Sequence, residues 1–207
     1  MLIKTLPVGH LETNCYIVTD ENTLESVIID PGAESNTILN YIEENGLKPK
    51  AIFITHGHFD HVTALSGVRE ATGAPVYVSK KDVCPPGLRT MHRLIEDDSF
   101  NYWKEGDSVT VGSMTFTVME TPGHSRGSVT IRCEDVLFTG DTLFRDSCGR
   151  TDLEGGDMGQ ILESLLRLAD LEGDFEVYPG HGDSSTLDRE RRFNYYINYA
   201  RMQKERK

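Results

Sequence analysis

The chain has no long hydrophobic run. No apolar stretch nears the roughly 20 residues that a membrane-spanning helix needs, so no membrane association is expected. It is short of cysteine, with four in 207 residues (Cys15, Cys84, Cys133 and Cys148) and no Cys-x-x-Cys pair. That spacing argues against a disulfide framework and fits a reducing compartment. It is short of positive charge, with 21 Lys and Arg against 33 Asp and Glu and a net charge of -12. Such a field repels phosphate backbones, so nucleic acid is not an expected partner. Repeats and low-complexity tracts are also missing, and the start, Met1 to Pro7, lacks an apolar leader core with a small-residue cleavage site. These absences point to a cytoplasmic protein acting on a small molecule. The length suits one domain over 1–207 with a sizeable core, while oligomeric state is left open.

What the chain does have is histidine in one place. Three of its seven histidines lie in Thr55-His56-Gly57-His58-Phe59-Asp60-His61, directly after the apolar run Ala51–Ile54. Imidazole and carboxylate together form donor sets for zinc, iron and related ions. In extended backbone, residues two apart share a side, so His56 and His58 can grip one ion. If the chain turns helical after them, Asp60 and His61 can swing toward a second.

Apolar alternation predicts strands at Leu2–Leu6, Cys15–Thr19, Ser26–Asp30, Ala51–Ile54 and Pro75–Ser79. The second half adds Ser108–Val111, Met114–Glu120, Ser128–Cys133, Val136–Thr139 and Phe175–Tyr178. Helical spacing is expected over Ser35–Asn45, His61–Thr72, Gly159–Ala169 and Leu187–Lys204. Lys80–Asp107, with Pro85-Pro86-Gly87, reads as a helix-and-loop excursion. Two sheets covered by helices follow.

Three further turns repeat one form, a strand followed by a donor beside glycine. They are Pro122-Gly123-His124, Gly140-Asp141 and Pro179-Gly180-His181. Glycine lets backbone turn tightly and approach closely, and a donor at a strand end is held rigidly over a cleft.

The pattern His56-x-His58-x-Asp60-His61, followed by His124, Asp141 and His181, resembles the metallo-β-lactamase superfamily from Asn14-Cys15-Tyr16 to the terminal helix. The resemblance implies an α/β fold, a four-layer αββα sandwich with a metal site at one edge between the sheets. It implies that His56, His58 and His124 hold one metal, that Asp60, His61 and His181 hold a second, and that Asp141 bridges them. Two divalent ions are implied, zinc before iron or manganese.

Within the superfamily, Phe144 to Asp152, Ser185-Thr186 and Glu190-Arg191-Arg192 look like small glyoxalase II-like hydrolases. Relatives often run Asn-Pro-Phe where this chain has Asn194-Tyr195-Tyr196; without proline, the helix is expected to continue. Only about one helix follows His181, so the glutathione-gripping helical domain of longer relatives is not expected.

The activity implied is thioester hydrolysis, with S-lactoylglutathione as the model substrate and a hydroxide shared by two ions as nucleophile. Asp60 is a ligand with a secondary role in orienting that hydroxide. Arg145 and Arg150 are candidates to pair with a substrate carboxylate. Two other classes share the scaffold. One is a persulfide dioxygenase with a single iron on His56, His124 and Asp141, resembled through Cys148 to Asp152; the other is a lactone hydrolase. Gly182 after His181 favours the hydrolases. Cys148 reads as a small loop residue, His10 as a surface residue near the cleft, and His92 has no role.

Overall fold

Residues 1–84 and 94–205 are described by the computed structural model. The first half builds a six-stranded sheet from β1 (Leu2–Val8), β2 (Thr13–Thr19), β3 (Glu25–Ile29), β4 (Lys48–Phe53), β5 (Val76–Ser79) and β6 (Asn101–Trp103), ordered as in the sequence. Pairing is antiparallel from β1 to β3 and parallel from β3 to β6. The parallel steps need crossovers, and α1 (Ser35–Glu44) supplies one while α2 (Phe59–Val62) and α3 (Leu65–Thr72) supply the next. The second half contains β7 (Ser108–Val111), β8 (Met114–Glu120), β9 (Val129–Cys133) and β10 (Val136–Gly140), then the small hairpin β11 (Leu143–Phe144) and β12 (Ser147–Cys148). After α4 (Met158–Ala169) come β13 (Glu176–Pro179), β14 (Ser185–Thr186), α5 (Leu187–Phe193) and α6 (Tyr195–Glu205). Its sheet runs β14-β13-β10-β9-β8-β7, again six strands.

The alternation of side chains along each strand produces the layers. On β2, Cys15 and Ile17 pack with Ile38 and Val68 of the first helical layer, while Tyr16 and Val18 face the other sheet. On β10, Leu137 joins Leu165, Leu168 and Ile197 of the second helical layer, while Val136 and Phe138 face inward. The inter-sheet core is centred on Phe53, whose ring meets Tyr77, Trp103 and Phe116 within 5.5 Å. Helix, sheet, sheet, helix is the expected αββα sandwich. At one end, Asp20 ties the sheets together by accepting from Ser113 N and Oγ at 2.7 and 2.8 Å.

Three local expectations need correction. The helix expected over His61–Thr72 is two helices, because Ala64 N leaves the helical ladder for Pro31 O at 3.1 Å. The excursion Lys80–Asp107 carries, among the described residues, a 3-10 turn at Lys80–Asp82 and the edge strand β6; Pro85-Pro86-Gly87 and His92 lie outside them. The terminal helix breaks at Asn194 without a proline. Asn194 has ψ 119°, and its Oδ1 accepts from Tyr196 N and Ile197 N, capping α6. Its Nδ2 donates to the carbonyls of Phe144 and Ser147 and to the buried Glu190, so the break anchors the β11–β12 hairpin.

Candidate metal centre

All seven predicted donors converge at one edge of the sandwich, where β4, β8, β10 and β13 end. His56 follows β4, and His58 caps α2 in extended backbone. The short helix then turns Asp60 and His61 inward, which delivers the change of direction expected from the spacing. His124 follows β8, Asp141 follows β10 and His181 follows β13. Three donor groups result, each with its ligand atoms within 4.8 Å of one another: His56, His58 and His124; Asp60, His61 and His181; and His56, His61 and Asp141.

Hydrogen bonds on the far side of each ring decide which nitrogen faces the centre. His124 Nδ1 lies 2.8 Å from Arg150 O, and His181 Nδ1 lies 3.0 Å from Leu11 O. A carbonyl only accepts, so Nδ1 keeps the proton and Nε2 offers a lone pair. His61 Nδ1 is 2.9 Å from Asp30 Oδ2, and His56 Nδ1 is 3.2 Å from Thr55 Oγ1, whose own proton goes to Asp30 Oδ2 at 2.6 Å. His58 instead presents Nδ1, 2.8 Å from His124 Nε2, and His56 Nε2 is 3.2 Å from that same nitrogen.

These residues fit a metal. Buried His61 Nε2 and Asp141 Oδ1 stand 3.4 Å apart, and neither has a hydrogen-bond partner. Asp141 Oδ2 lies 3.4 Å from His124 Nε2 and 3.5 Å from His181 Nε2, so this carboxylate reaches both triads. An ion between these lone pairs satisfies atoms that are otherwise costly to bury. Close approach is built in: a Cβ on Gly180 would fall 2.1 Å from Asp141 Oδ1.

Electrostatics match. Burial opposes charge on Asp60, but the hydrogen bond from His181 and the charge of His61 outweigh it and hold the carboxyl below the ordinary range. Asp141 is likewise held low, against burial, chiefly by His61. Burial lowers the His61 pKa, and Asp141 with Asp30 raises it further, to well above the ordinary value.

Several positioning residues escaped sequence reasoning. Asp30, read only as a turn, sits at φ 51° and accepts from Thr55 N, Thr55 Oγ1 and His61. Asp82, 1% exposed, accepts from Gly57 N at 2.8 Å, Ser125 Oγ at 2.7 Å and Gly127 N at 2.7 Å. It thereby joins the two loops that carry His56, His58 and His124. Thr13 Oγ1 donates to Asp60 Oδ2 at 3.0 Å, and Asn14 Nδ2 and Tyr16 OH both donate to Pro179 O. Strand-end Asp, Thr and Asn resemble ordinary turn residues in sequence; only the presence of Asn14 and Tyr16 in the family-like opening pointed to them.

Arg150 is exposed and pairs with Asp152 at 2.7 Å, while its carbonyl orients His124. Arg145 is exposed and lies 3.3 Å from Asp183. Cys148 packs against the second helical layer, and burial pushes its thiol up to about 11, so it stays protonated. His10 is exposed in the β1–β2 turn.

Similarity to known proteins agrees with this geometry. The model of the metallo-beta-lactamase superfamily matches residues 8–181. The hydroxyacylglutathione hydrolase GloC of Haemophilus influenzae is 31% identical, over 96% of this chain and 99% of its own. Among solved structures, the BLEG-1 B3 metallo-beta-lactamase superposes with a TM-score of 0.86 at 35% identity, covering 95% of this chain and 99% of that one. ETHE1 from Myxococcus xanthus gives 0.82 at 31% identity, covering 97% and 90%. TTHA1623, solved in a di-iron-bound form, gives 0.79 at 34% identity, covering 94% and 100%. With its strand-end donors, αββα layers and matched family model, this chain belongs to the metallo-beta-lactamase superfamily.

Proposed function

We propose that this protein is a dinuclear metal-dependent hydrolase of thioesters, of the kind represented by S-lactoylglutathione. One observation carries the reading. Two complete donor triads, His56–His58–His124 and Asp60–His61–His181, flank a carboxylate, Asp141, that reaches both. Two divalent ions, zinc before iron or manganese given this donor set, would supply an acidified water and polarise a carbonyl oxygen.

The protein's own residues do the rest. His56, His58 and His124 would hold one ion, Asp60, His61 and His181 the other, and Asp141 would bridge. Asp60 accepts from Thr13, and this fixes one oxygen of its carboxylate and leaves it able to orient the attacking water. In the reaction, water oxygen bonds to the carbonyl carbon and the carbon–sulfur bond breaks. Sulfur leaves with the electron pair and one proton, and the new acid releases the other. A thiolate is a good leaving group, so no strong general acid is needed. Arg145 and Arg150 are the nearest candidates for a substrate carboxylate, Arg150 once released from Asp152. No disulfide joins the four cysteines, which supports a cytoplasmic setting. No helix among the described residues is long and apolar enough to cross a membrane.

The likeness to ETHE1 supports a second reading, oxygen-dependent persulfide oxidation on a single iron at His56, His124 and Asp141. The intact second triad weighs against it, because a mononuclear site has no use for Asp60 and His181. The test is anaerobic hydrolysis of S-lactoylglutathione by the metal-loaded protein, with a chelated control, alongside oxygen consumption with glutathione persulfide. Chelator-sensitive anaerobic turnover supports the hydrolase. Oxygen uptake without it transfers the assignment to the dioxygenase.

A further inference from the structure

A small recess opens beside the Asp60–His61–His181 triad. It holds 210 Å³; Val8, Leu11, Ala33 and Phe59 make its walls mostly apolar, and His10, Asp60 and Thr63 complete them. It shares two walls with the metal centre. Asp60 lines it and also stands 3.2 Å from His181 Nε2; Leu11 lines it and also offers its carbonyl to His181 Nδ1. The Leu11 side chain is 54% exposed, so a large apolar group stands open at the rim among the described residues. Arg145 stands in the β11–β12 turn and Arg150 follows β12, and neither lines the recess. The two ends of a substrate therefore meet different chemistry.

We infer that this recess takes the acyl side of the substrate, and that the preferred acyl group is an aliphatic chain of about four to six carbons rather than a shorter one such as acetyl or lactoyl. The inference rests on the thioester reading and deepens it. The recess has about the volume of seven liquid waters, room for a chain of about four to six carbons. Each methylene placed there gains about fourfold in binding.

The experiment compares kcat/KM for acetyl, lactoyl and hexanoyl thioesters of one thiol carrier, using the metal-loaded protein. Hexanoyl is expected to exceed acetyl and lactoyl by at least tenfold. Ala33→Phe, which fills the recess, and Leu11→Ser, which makes its exposed rim polar and leaves the core untouched, should each bring that ratio close to one. A wild-type ratio near one, or a ratio unmoved by Leu11→Ser, overturns the inference. If no thioester is turned over, the thioester reading fails on its own, and calorimetry decides the recess separately. Hexanoate binding at least tenfold tighter than acetate, and lost in Leu11→Ser, upholds an apolar acyl site; equal binding of the two carboxylates overturns it.

Discussion

Asp141 reaches both donor triads, so its loss should be felt at both. Asp141→Ala is expected to reduce metal content from two ions per chain to one or fewer, measured by elemental analysis, and to lower turnover by about 10²-fold or more. Full occupancy and rate in that variant would remove the bridging assignment. Asp82 binds both loops of the first triad. Asp82→Ala should weaken metal binding at His56, His58 and His124 by about 10–100-fold in a chelator competition, while the fold, followed by circular dichroism, persists. The seven donors were legible because strand, glycine and donor repeat at three places beyond the dense cluster. Asp30 and Asp82 were not, because a carboxylate orienting a ring is chemically identical to one closing a turn. Only distance in space separates the two roles.

Asn194 shows how an element is ended by hydrogen bonding rather than by a missing donor. The chain lacks the proline that would have stopped a helix, so one continuous terminal helix was expected. A buried asparagine does the same work, because it caps α6 and simultaneously bonds two carbonyls of the β11–β12 hairpin. Asn194→Ala should cost about 2 kcal/mol, a fall in Tm of about 4–8 °C for a chain of this size, read by calorimetry. The strands of the first sheet were legible where alternation was long. β6, three residues between turns, and β14, two residues, were too short to show a period. At the opposite end from the metal centre, Asp20 clamps the β7–β8 turn, and hydrogen bonds from Ser113 and Asn22 hold its carboxyl at about 2, below its ordinary 3.8. A carboxyl lowered by folding stabilises above its unfolded pKa and loses that contribution as pH falls through the folded one. The clamp should therefore be at full strength above about pH 4 and vanish toward pH 2. Asp20→Asn should flatten that part of the acid-unfolding curve.

For the whole molecule, the four layers could be read from the alternation of strands and helices together with the family resemblance, because both faces of each sheet are apolar and both must be covered. The fully buried Phe116 bridges the sheets through Phe53, and Phe116→Ala should destabilise by about 3–5 kcal/mol in denaturant titration, with metal affinity measured in the absence of denaturant little changed. Less legible were the depth and lining of the cleft, since the recess at Leu11 and Ala33 is formed by residues far apart in sequence that no local pattern links.

The donors are divided between the two sheets. His56, His58, Asp60 and His61 come from the first, and His124, Asp141 and His181 from the second. Neither half of the chain owns a complete site, so bound metal would act as a rivet across a seam. Metal uptake is then a late event in the life of the molecule, available only once both halves have docked. A chain that has misfolded in either half loses its donor set along with its shape, so bound metal would certify that both sheets have been built and joined.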